Sequence, residues 1–107
     1  MLQITNKTFR DYTVLVVNGD LTMMNVINLE KEANTLLSQG KKTAIDLSKL
    51  NLIDSSGMGL LVRLHEFMKR QNYGLTLINP PKKVRSIFQL TSISKAFRII
   101  DSENGLK

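Results

Sequence analysis

Leu50-Asn51-Leu52-Ile53-Asp54-Ser55-Ser56-Gly57-Met58-Gly59-Leu60-Leu61-Val62 places a carboxylate, two hydroxyls and two glycines between two apolar runs. The second run continues at helical spacing. Met58, Leu61, Leu64 and Met68 share one face, with Leu60 and Phe67 beside it. The spacing predicts a helix over 56–71, ended by Asn72-Tyr73-Gly74. The junction then lies at a helix N-terminus, where backbone N–H groups lack internal partners and the dipole is mildly positive. Asp54, Ser55 or Ser56 suits the cap. Gly57 and Gly59 allow unusual backbone angles or close approach by a neighbour.

Upstream, residues 43–47 read as a short buried strand, and 48–53 as a loop anchored by Leu50 and by Leu52 or Ile53. A first helix is predicted over 24–39. Val26, Leu29, Ala33, Leu36 and Leu37 recur at helical spacing there, and Gly40 closes it. The β-branched run 12–17 reads as a buried strand, ended by Asn18-Gly19-Asp20 and joined by Arg10-Asp11 to an edge strand over 4–9. Downstream, 75–78 is a strand stopped by Asn79-Pro80-Pro81. A third helix over 82–90 carries Val84, Ile87 and Phe88 inward. A short turn over 91–96, an edge strand over 97–100 and a polar, frayed tail over 101–107 complete the chain. The order is β-β-α-β-α-β-α-β. It predicts an α/β single domain over 1–107, with right-handed parallel crossovers after the opening hairpin and a mixed sheet flanked by helices.

Composition narrows the function. The 107 residues suffice for one small domain. There is no cysteine, which removes disulfides, thiol catalysis and cysteine-ligated zinc. The N-terminus lacks a basic segment followed by an apolar one, so no signal peptide is expected, and a cytoplasmic location fits. Lysine and arginine exceed aspartate and glutamate by 15 to 9, a net charge of +6. The basic residues are dispersed, and no aromatic residues interleave them as a nucleic-acid platform requires. They read as a solvated surface.

Three chemistries compete at the junction. A serine nucleophile elbow needs G-x-S-x-G, and the first glycine is missing from Ile53-Asp54-Ser55-Ser56-Gly57. The one histidine, His65, lies ten residues along the same helix, about 15 Å from Ser55 at 1.5 Å per residue, too far to be its base. It reads as a partly exposed helix residue. Nucleotide binding has two of three glycines in Gly57-Met58-Gly59-Leu60-Leu61-Val62, but Val62 replaces the third and no G-K-[ST] occurs. No catalytic set, metal set or cofactor is expected. A phosphorylation switch fits better. Phosphate adds about −1.5 to −2 charges at neutral pH, and a helix N-terminus tolerates them, so modification would alter the surface and leave the fold.

The stretch 52–61 resembles the signature of STAS domains, in particular bacterial anti-sigma factor antagonists, which carry Asp-Ser-(Ser/Ala/Thr)-Gly-(Leu/Met)-Gly after their third strand. The resemblance spans the chain: Gly19-Asp20 after a strand, Ile45-Asp46-Leu47-Ser48 with Leu50, Asn72 to Leu77, the Pro81, Val84, Phe88 helix, and the 93–97 segment. It implies a mixed sheet flanked by helices and a regulated serine directly after the aspartate, here Ser55. It also implies an anti-sigma factor/serine kinase as partner, a metal-dependent phosphatase that reverses it, and no catalysis by the domain. The unphosphorylated form would bind the kinase and free its sigma factor or another target. Asp54 would hold the loop or help position Ser55, with Ser56, Gly57 and Gly59 in support.

One departure bears on the partner. Relatives often place aspartate where Thr22 stands in Gly19-Asp20-Leu21-Thr22, and Met23-Met24 follows. Those methionines read either as a helix start with one side chain tucked in, or as an apolar patch beside the phosphosite. Asp20, Thr22, Met23, Met24 and Met58 are the expected docking residues, on a monomer or weak dimer. The alternative is a non-phosphorylated accessory subunit of a lipid transporter, with the same helix end as a permanent interface.

Overall fold

The structure, a computed structural model, describes residues 2–91 and 97–106. Antiparallel strands β1 (Leu2–Phe9) and β2 (Tyr12–Leu21) form the opening hairpin around Arg10, whose φ is 55°. Helix α1 (Val26–Ser38) follows, then β3 (Lys42–Asp46), β4 (Leu50–Ile53), α2 (Ser55–Lys69), β5 (Thr76–Ile78), α3 (Lys82–Leu90) and β6 (Arg98–Ile100). The sheet order is β1-β2-β3-β5-β6, and every pair after the hairpin is parallel. This is the expected small α/β domain, a mixed sheet with helices. The turn expected over 91–96 lies, from 92 onward, outside the described residues.

Two expectations about strands need correction. The stretch 48–53 is not only a loop: Leu50–Ile53 forms β4, which pairs with the far end of β2 beyond β3. Likewise β2 does not stop at Asn18-Gly19-Asp20 but runs on to Leu21. The two errors share a cause. β4 supplies the partner that keeps β2 extended, and Gly19, at φ 116°, absorbs the register shift where β2 passes from one neighbour to the other. Four residues with only Leu50 and Ile53 buried carry too little pattern to reveal a strand.

Burial is two-sided. Leu15, Val17 and Leu21 of β2, with Ile45 and Leu77, face a core filled by Leu29, Ala33, Leu36 and Leu37 of α1, by Leu60, Leu61, Leu64 and Met68 of α2, and by Val84 and Phe88 of α3. The alternate residues Val14, Ala44 and Ile78 form a smaller core on the other face. No helical residue contributes to it among the described residues. Leu106 does, and it is fully buried. The tail is therefore not frayed over its described part. A 3-10 turn at Glu103–Gly105 folds it back over the sheet. Arg10 donates to the carbonyls of Asn104 and Leu106, and Arg98 to that of Gly105. Lys7 forms an ion pair with Glu103. An apolar sheet face without a helix needs a cover, and one leucine with basic anchors provides it.

The ends of α1 and α2 show how local chemistry positions the site. Gly40, at φ 73°, ends α1 with Gly40 N–H bonded to Leu37 O and Lys41 N–H to Leu36 O. That turn feeds β3, and the lane β3–β4 then carries the chain to the start of α2.

Candidate functional site

The three open capping candidates resolve to one. Asp54 is the N-cap of α2, and its Oδ1 accepts a hydrogen bond from Gly57 N at 3.0 Å. Its Oδ2 accepts from Met23 N, also at 3.0 Å, so one carboxylate ties the helix start to the loop after β2. The Asp54 N–H in turn donates to Leu21 O at 3.2 Å. The Gly57 N–H bond holds the Asp54 carboxyl below its ordinary 3.8. Desolvation opposes this, and the Met23 bond adds to it.

Because Asp54 caps, the serines are released from that task. Ser55 occupies the first helical position and is exposed, and its hydroxyl makes no hydrogen bond among the described residues. Ser56 is half-buried. The glycines divide. A Cβ on Gly57 would lie 2.6 Å from Leu21 O and 2.8 Å from Ile53 Cγ1, so close approach excludes any side chain there. A Cβ on Gly59 would meet only Arg63 Nη1, at 3.7 Å. Neither has a positive φ. Close approach applies to Gly57, and neither property applies to Gly59.

The loop 22–25 lies against this helix end. Thr22 N donates to Asn25 Oδ1 at 2.9 Å, Asn25 Nδ2 to Asp20 O at 2.7 Å, and Met24 N to Thr22 Oγ1 at 3.3 Å. Asp20 Oδ1 accepts from Asn51 Nδ2 of β4 at 3.1 Å, and Lys83 Nζ of α3 donates to Asn51 Oδ1 at 2.8 Å. Met23 thus meets Asp54 directly, while Asp20 and Thr22 are bonded to Asn25, Asn51 and the loop's own backbone. Met23 and Met24 are 72% and 82% exposed, so neither is tucked in. Met58 is half-buried and leans on the main core. Leu21, Asn25 and Ile27 have no marked role in the sequence pattern, and of the two alternative anchors it offers Ile53 is buried and Leu52 is not. Leu21 and Asn25 hold the loop, and Ile27 and Leu52 are exposed on the elements flanking it. Asn25 at the foot of a predicted helix was the available signal.

His65 corrects another expectation. It is buried at 9% exposure, and its Nδ1 accepts from Leu75 N at 3.0 Å. Its ring meets Phe97 edge-on, at 5.6 Å. Leu75 is fully buried and precedes β5, so its N–H has no ladder partner and takes a side chain instead. Among the described residues no three His, Asp or Glu side chains gather as metal ligands, and no helix is long and apolar enough to cross a membrane.

Among the described residues, a six-stranded mixed sheet, three α-helices and a capped Asp-Ser-Ser-Gly helix start define a known class. The STAS domain family matches residues 3–105, and the chain belongs to that family. Among solved structures it is similar to a candidate anti-sigma factor antagonist from Thermotoga maritima, with 24% identity over 94% of this chain and 88% of that one and a TM-score of 0.88. It is similar to the anti-sigma factor antagonist of Mycobacterium paratuberculosis, with 18% identity over 97% and 89% and a TM-score of 0.84. It is also similar to the Bacillus cell fate determinant SpoIIAA in its phosphorylated form, with 21% identity over 99% and 96% and a TM-score of 0.72. SpoIIAA is also known in its unphosphorylated form, where the match has a TM-score of 0.73 and 22% identity over 97% and 91%. At these identities the likeness is one of fold.

Proposed function

We propose that this chain is a phosphorylation-controlled binding module with the role of an anti-sigma factor antagonist, and not an enzyme. Unphosphorylated at Ser55, it binds an anti-sigma factor/serine kinase in the cytoplasm and releases the kinase's sigma factor or other target. A metal-dependent phosphatase returns the phosphorylated form. The observation that carries this reading is the exposed, uncommitted hydroxyl of Ser55 beside an N-cap already filled by Asp54. A dianion at that position adds charge and bulk to the docking face without removing any contact of the fold. The two phosphorylation states known for SpoIIAA, which has the same fold, support it. In this reading Asp20, Thr22, Met23, Met24 and Met58 form the docking face. Asp54 and Gly57 keep the helix end in place.

The test is to incubate the chain with ATP and an extract of its source cells and map the phosphate by mass spectrometry. Label on Ser55 is expected; label on Ser56 alone, or none, overturns the reading. Ser55→Ala should melt as the parent does and bind the kinase constitutively. Ser55→Asp should also melt as the parent does and bind weakly. A complex that forms with no label at all would mark a permanent interface.

A further inference from the structure

We infer that Met23 and Met24 form a reversible oxidation site, by which a hydroperoxide shuts the same docking face that phosphate on Ser55 shuts. The inference rests on the docking face proposed above and adds a second input to it. The chain has no cysteine, so methionine sulfur is its only two-electron redox group. Five methionines occur. Met1 is outside the described residues, Met68 is fully buried and Met58 is half-buried. Met23 and Met24, adjacent in sequence, stand 72% and 82% exposed.

The loop that presents them does not depend on their side chains. It is held by the Asp54 carboxylate on Met23 N, by Thr22 Oγ1 on Met24 N, by Asn25 Oδ1 on Thr22 N, and by Thr22 O on the N–H groups of Asn25 and Val26. Every one of these bonds uses backbone of the methionines or other residues. Oxidising the sulfurs therefore leaves the loop standing and changes only what it offers a partner. The sulfur lone pair attacks the peroxide; an S–O bond forms, the O–O bond breaks, and water or alcohol leaves. Sulfur is oxidised by two electrons and the peroxide reduced. The product is a polar, hydrogen-bond-accepting sulfoxide where an apolar, polarizable group stood. A partner surface shaped for two thioethers would then have to desolvate two strong dipoles.

The isolated chain is treated with hydrogen peroxide, and sulfoxide is followed peptide by peptide. Met23 and Met24 should convert about tenfold faster than Met68, in the order of exposure. The doubly oxidised chain should melt as the parent does, and methionine sulfoxide reductases acting on both epimers should restore it. Conversion of Met68 at a similar rate, or a lower melting temperature after oxidation at 23 and 24 alone, overturns the inference. With the kinase that labels Ser55, oxidation should weaken binding about tenfold or more. The Met23→Leu/Met24→Leu variant, whatever its starting affinity, should show no peroxide effect. Unchanged binding by the oxidised chain also overturns the inference. Should no kinase label Ser55, the functional proposal fails by itself. Oxidation rates, melting and reductase rescue are read on the chain alone and still decide whether Met23 and Met24 are a reversible oxidation site.

Discussion

Met23 N–H donates to Asp54 Oδ2 at 3.0 Å across 31 residues of sequence. The same carboxylate accepts from Gly57 N, so the loop after β2 and the start of α2 share one anchor. Asp54→Ala removes both bonds. It should lower the melting temperature by about 4–8 °C, the usual weight of a lost cap in a domain of this size. It should also accelerate amide exchange at Met23 and Gly57 above that of other surface amides. Unaltered exchange at Met23 would contradict the anchor.

The same carboxylate sets a pH dependence. Its hydrogen bonds hold the folded-state value below the ordinary 3.8, so Asp54 contributes stability that is present above 3.8 and lost as pH falls through the folded value. The melting gap between the parent and Asp54→Asn should therefore be constant above about pH 5 and close below about pH 4. A gap that widens on acidification would reverse the sign.

The two glycines of the signature should behave oppositely. A Cβ at residue 57 would press on Leu21 O at 2.6 Å, a backbone atom that also holds Asp54 N. Gly57→Ala should cost about 2 kcal/mol or more. At Gly59 the space is open and the backbone helical, so Gly59→Ala should gain about 0.5–1 kcal/mol. Urea unfolding of the two variants reads both.

His65→Leu keeps the bulk but strips the acceptor from the buried Leu75 N–H. The expected loss is about 1–3 kcal/mol by chemical denaturation, with no effect on labelling of Ser55, ten residues away at the other part of the helix. Loss of labelling would mean that His65 supports the site.

The tail should prove part of the fold. Leu106→Asp places a charge against Val14, Ala44 and Ile78 and should destabilise by about 2–4 kcal/mol. Arg10→Ala and Arg98→Ala, whose bonds lie near the surface, should each cost less than about 1 kcal/mol. Equal melting of Leu106→Asp and the parent would show that the tail frays after all.

Much of this was legible because it is local. The third helix over 82–90 has the predicted bounds, since Pro81 sets its start and Val84 and Phe88 its buried side. Gly40 ends α1 as its residue type suggests. The helix start at the signature is displaced by one residue, to Ser55, because three adjacent side chains could cap and only the one that also reaches Met23 N does. What escaped is non-local. β4 exists because β2 continues past Gly19, His65 is buried because Leu75 N lacks a ladder partner, and Leu106 is buried because one sheet face carries no helix among the described residues.

Periodicity, glycine and proline placement and the Asp-Ser-Ser-Gly signature were enough to specify an α/β domain of the STAS type, with Ser55 at a helix mouth. Sequence order carries such properties because each depends on neighbours within a turn or two of the chain. Which side chain caps, which glycine is irreplaceable, and whether the methionines face solvent are decided only where β2, β4 and α2 converge. Those outcomes are set by contacts between residues some 30 positions apart, as Met23 and Asp54 are, and no local pattern records them.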